Sequence, residues 1–200
     1  MIYQAHDLIG LKQRFSDLAN ETQQVMVDAI NAAAPIIHER AIDKMMDRVK
    51  LSRPYIKKHL RIKRYATLER PRATIEGNTR ETLLSRYPHQ KFNQGVSVSV
   101  NADGNSKKIY DAFIVKNLRG SGATGIAVKL KDAPSVAPRT KAAKKALRYK
   151  GNKSQAARKA LNKPFILHSR SINQLFTSIK DELIPDVEIE LLGNISRFLK

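Results

Sequence analysis

The chain has 200 residues, 37 Lys and Arg against 18 Asp and Glu, a net charge of +19 and no cysteine. That length supports one good hydrophobic core and is short for two, and a hydrophobic content of 42% excludes disorder throughout. The missing cysteines exclude disulfides, thiolate metal sites and a cysteine nucleophile, while the surplus charge calls for a polyanionic neighbour: DNA, RNA or anionic lipid.

The first residues, "MIYQAHDLIGLKQRF", show no basic segment followed by an apolar one, so no signal peptide is visible. No apolar run approaches the roughly 20 residues that span a bilayer. A protein that is soluble and intracellular when made is the expectation. Leu8, Leu11, Phe15, Leu18, Val25 and Ala29 then recur at spacings of three and four, the pattern of an amphipathic helix. The pattern continues through Ile36, Ile37, Ile42, Met45 and Val49, so residues 8–48 are expected to be mainly helical. Pro35 predicts a kink or break there. Ala29, Ala32, Ala33 and Ala34 make a small-residue patch that another element, or a neighbouring subunit, can approach closely.

"KLSRPYIKKHLRIKRYAT" follows, with no acid between Asp47 and Glu69. Ser52 reads as a helix N-cap and Pro54 as a first-turn residue, which predicts a short helix to about Leu60. Lys50, Arg53, Lys57, Lys58, Arg61, Lys63 and Arg64 form a candidate phosphate-contacting run, because Lys and Arg neutralise phosphates and release counterions. A solvated helix face is the plainer reading. No helix-turn-helix, zinc finger or other reader motif accompanies the run, so base-specific readout is not indicated. The bulky aromatic face that favours membrane insertion is also missing.

The period then shortens from 3.6 to 2. "RATIEG" (72–77), "TLLSRY" (82–87), "GVSVSVN" (95–101), "AFIVKNL" (112–118) and "TGIAVKL" (124–130) read as strands. "NADGN" and "RGSG" read as hairpin links, so the sheet is expected to be mostly antiparallel. Gly120, Gly122 and Gly125 fall in a GxGxxG spacing, but a strand rather than a helix follows, so a glycine-rich turn is the better reading.

Between Asp132 and Asp181 there is no acid, and Arg139 to Lys163 holds ten Lys and Arg among many alanines. This predicts a basic, extended or weakly helical arm at about 132–165. Lys144, Lys145, Arg148 and Lys150 are its candidate nucleic-acid contacts. The chain closes with Ile172, Leu175, Phe176 and Ile179 on one helical face. A last helix is expected after Pro185, loosened at Gly193.

No catalytic set emerges. The five histidines, His6, His38, His59, His89 and His168, are scattered without metal-ligand spacing. Glu182, Asp186, Glu188 and Glu190 are the one acidic cluster, better read as a surface that meets a basic neighbouring subunit than as a metal site. No GxSxG or paired base accompanies the serines. The residues therefore suggest no enzyme, no metal and no cofactor.

The order of parts resembles the phage minor tail protein Z family, the tail-completion proteins of long-tailed phages. The resemblance is carried by "VDAINAAAPIIHERA", "VKLSRPYIKKHLRIKRYAT", "PRATIEG", "DAFIVKNLRGSGATGIAVKL" and "LFTSIKDELIPDVEIELLGNISRFL", spanning about Val27 to Leu199. None of these motifs is catalytic. The resemblance implies a structural virion protein that completes the head-proximal end of the tail at the head–tail junction. It implies an α+β fold, with a long N-terminal helix and a closing pair of C-terminal helices packed on a mostly antiparallel sheet, in a single domain. Implied partners are other tail and neck proteins (the tail terminator, a head–tail connector or the tape-measure protein), further copies in a ring, and double-stranded genome DNA, with no membrane. The implied location is the virion, after assembly in the host cytoplasm. A general nucleic-acid-binding protein, ribosome-associated or chromatin-like, explains the charge equally well but not the order of parts.

Overall fold

Val27, Ala33, Ala34, Ile37, Ala41, Ile42 and Met45 recur at spacings that put them on one side of a helix, and all are buried in the computed structural model. That structure describes residues 20–104, 106–129 and 164–199. The helix, α1, runs Asn20–Met46. It continues through Pro35 without the break that the proline suggested, with Ala33, Ala34 and Ile37 packed on either side. The residues expected to be helical before Asn20 lie outside the described residues, as does the basic arm.

A short helix, α2 (Arg53–His59), starts at Ser52 with Pro54 in its first turn, as the sequence implied, although the Ser52 side chain makes no cap hydrogen bond. Leu60 leads directly into a strand, β1 (Leu60–Arg64), which pairs antiparallel with β2 (Thr74–Gly77). A single helix closes the chain, α3 (Ile172–Phe198). It runs through both Pro185 and Gly193, so the expected helix pair and the loosening at Gly193 are replaced by one continuous element. Buried Leu183, Leu191 and Ile195 hold it on both sides of the proline. Its start is a capping box: the Ser171 hydroxyl accepts from the Gln174 N–H at 3.1 Å, and the Gln174 side chain accepts from the Ser171 N–H at 3.0 Å.

These elements form one compact unit, residues 1–80 with 170–200. α1 and α3 pack against each other antiparallel: the Asn194 side chain reaches the Ala29 carbonyl, and Arg40 reaches Asp186 and Glu190. The alanine patch is thus covered from within, since Ala29, Ala33 and Ala34 are buried, rather than left open for a neighbour. The buried His38 ring donates from Nε2 to the Leu60 carbonyl at 2.9 Å and ties β1 to α1.

Residues 81–169 form the second unit. Its strands are β3 (Glu81–Leu83), β4 (His89–Phe92), β5 (Gly95–Val98), β6 (Lys107–Tyr110), β7 (Phe113–Val115), β8 (Gly125–Lys129) and β9 (Pro164–Ile166). A further strand, β10 (His168–Ser171), begins in this unit and pairs with β3. β4–β5–β6 and β7–β8–β9 are three-stranded antiparallel sheets, joined through the hairpin links seen in the sequence. The architecture is therefore α+β with small antiparallel sheets. "TLLSRY" is only partly strand: β3 ends at Leu83, and Leu84–Arg86 form a 3-10 turn. Gly95 is required where it stands, because a Cβ there would lie 2.1 Å from the Ile109 carbonyl oxygen.

Candidate nucleic-acid interface

The basic run folds into three kinds of surface. Arg53 and Lys57 lie on α2, where one helical turn brings both over the acids of α1. Arg53 donates to Glu39 at 2.7 Å and to Asp43, and Lys57 donates to Glu39 at 2.6 Å. Lys57 first, then Arg53, lower the Glu39 carboxyl to about 2. On β1, Lys63 sits at a register irregularity between Ile62 and Arg64 and pairs with Glu76 at 2.6 Å. That contact, with Lys63 as the main cause, lowers the Glu76 pKa.

Three of the seven candidate cations are therefore internally paired, with acids that lie outside the acid-free stretch in sequence. Lys50, Lys58, Arg61 and Arg64 are different. Lys50 is half-buried, the other three are exposed, and none makes a side-chain hydrogen bond or ion pair among the described residues. Lys144, Lys145, Arg148 and Lys150 lie outside the described residues.

The acidic cluster is also corrected. Glu182 pairs with Arg48, Asp186 with Arg40 at 3.1 Å and Lys44 at 3.3 Å, and Glu190 with Arg40. These contacts bind α3 to α1 in the same chain, so only Glu188 of the four stays outside this ladder. Among the described residues, no three His, Asp or Glu side chains gather to hold a metal, and no helix is long and apolar enough to cross a membrane.

Beyond Arg64 the chain adds residues that the charge count overlooked. Tyr65 and Leu68 are 52% and 56% exposed, and Arg70 and Arg72 are exposed beside them. Between these, Ala66 is buried and held twice by Asn31 of α1. Its N–H donates to the Asn31 side-chain oxygen at 2.7 Å, and its carbonyl accepts from the Asn31 amide at 3.1 Å. The turn Thr67–Arg70 is closed by two reciprocal backbone bonds of 2.9 and 3.0 Å, and the Thr67 hydroxyl accepts a third, from the Arg70 N–H, at 3.2 Å. The sequence signal was the "TLERPR" turn chemistry next to a cationic strand, which a reading by charge alone passes over.

Comparison of the chain with protein-family models, with curated proteins and with solved structures finds no match.

Proposed function

We propose that this protein is a structural tail-completion protein of a long-tailed phage. It works at the head–tail junction through contacts with neck and tail subunits and through sequence-independent contact with genome DNA. The observation that carries this reading is the order of parts. The segments behind the resemblance fall, in order, in α1, in α2 with β1, in β2, in the β7–β8 hairpin and in α3, the last a single helix where the resemblance implies a pair. The exposed, unpaired cations give the DNA contact a physical basis, since a cationic surface beside the packaged genome end holds it by neutralising phosphates. On this reading several copies surround the tail axis, and the protein performs no catalysis.

A general nucleic-acid-binding role accounts for the cations but not for the order of parts. The test is mass spectrometry of purified virions, together with deletion of the gene from the phage. The expected result is the protein in mature particles, and tails that assemble without it but fail to yield infectious phage. Particles that lack the protein and remain fully infectious when it is deleted overturn the proposal.

A further inference from the structure

We propose that the turn closing the β1–β2 ribbon is a duplex-DNA contact: Arg61, Arg64, Arg70 and Arg72 meet phosphates, and Leu68, flanked by Tyr65, packs into a groove without reading sequence. The proposal deepens the DNA contact of the reading above and rests on it there.

Charge is the first argument. From Leu60 to Gly77 the ribbon carries five Lys and Arg against Glu69 and Glu76, and Glu76 is already held by Lys63. None of the four guanidinium groups makes a hydrogen bond or salt bridge among the described residues, although Arg61 stands opposite Glu76 across the ribbon and its charge helps to lower that carboxyl. An arginine fork left open in this way matches phosphate geometry better than it matches water.

Shape is the second. Two antiparallel strands form one of the elements that B-DNA's major groove admits, and apolar side chains on DNA-binding proteins reach base steps directly. In an extended segment neighbouring side chains point to opposite sides, so the buried Ala66 directs Tyr65 and Thr67 outward.

Preorganisation is the third. The Asn31 clamp and the Thr67–Arg70 bonds fix the turn before anything binds, which lowers the ordering cost of association. Duplex DNA is favoured over a lipid surface because two exposed apolar side chains are too few to anchor in a bilayer interface, whereas four arginines suit a phosphate backbone.

The experiment is a salt titration of the purified full chain on short duplexes of unrelated sequence, with circular dichroism to confirm folding. The variants are the combined Arg61→Ala, Arg64→Ala, Arg70→Ala, Arg72→Ala chain, and Leu68→Ser. Wild type should bind all duplexes alike. The arginine variant should flatten the log–log salt slope by about 0.9 for each phosphate that is no longer neutralised. Leu68→Ser should keep the slope and bind about tenfold more weakly at every salt concentration, the low end of what burying one leucine side chain contributes. Lys107→Ala, in the second unit, should change neither. Wild-type affinity and slope in both variants overturn the proposal. So does loss of binding to phosphatidylserine vesicles with duplex binding unchanged, which assigns the turn to lipid. A chain found in virions that binds no duplex sinks this proposal and leaves the tail role standing, and a duplex-binding chain absent from virions does the reverse.

Discussion

Glu39 carries two cations at once, Lys57 and Arg53, and His38 Nδ1 lies 3.9 Å from the same carboxylate. With the folded carboxyl lowered to about 2, the unfolded chain binds a proton first as pH falls. The stabilisation is therefore complete above the ordinary glutamate range and disappears as pH drops through about 2. Glu39→Gln should be less stable than wild type near neutral pH, and the two should converge in strong acid, as measured by urea unfolding across pH. The groups are partly exposed, so the difference should be modest and should shrink in salt. A difference independent of pH would mean that Glu39 acts through packing instead of charge.

At the level of elements, β2 approaches the start of α3 closely at Gly77. A Cβ on Gly77 would lie 2.7 Å from the Asn173 Cα and backbone nitrogen, and backbone cannot turn aside as a side chain does. Gly77→Ala should cost about 1–3 kcal/mol, as overpacking does. Gly193, inside α3, faces open space, so Gly193→Ala should stabilise by about 0.5–1 kcal/mol. Chemical denaturation of the two variants should give opposite signs, and equal signs would contradict this packing. Both glycines stand in the sequence without a mark that tells them apart. The same limit explains what was legible among the elements. The 3.6-residue period gave α1, the Ser-Arg-Pro step gave α2, and Val96–Val98 alternation with the glycine turns gave β5, β7 and β8. "KKIY" and "HSRS" became β6 and β10 through their partners, since they lack the β-branched alternation of a self-evident strand. No break forms at either proline, because buried residues on both sides of Pro35 and Pro185 outweigh one missing hydrogen bond and a local clash.

Across the whole molecule, the net charge of +19 was plain from composition, but its distribution was not. Arg53 finds Glu39 across 14 residues, and Arg40 finds Glu190 across 150. Pairing at such distances follows from the fold and leaves no trace in local spacing. It concentrates the unpaired charge of the opening run on Lys50, Lys58 and the β1–β2 ribbon. The remaining surplus repels itself, so raising salt from low to moderate concentration should increase the melting temperature even as it weakens the exposed pairs. Thermal scans over a salt series check this, and a falling melting temperature would mean that the ion-pair ladder between α1 and α3 outweighs the general repulsion.

The partnership of α1 with α3 also sets a timetable. Arg40 leaves the ribosome 150 residues ahead of Glu190, a delay of roughly 8–30 s at common rates of synthesis. Residues 81–169 can settle into their own unit during that interval, while the side of α1 that meets α3 stays uncovered. The unit begun first is thus finished last. Any message cut short before α3 yields a product whose first half has nothing to close on, a natural target for chaperones and proteases.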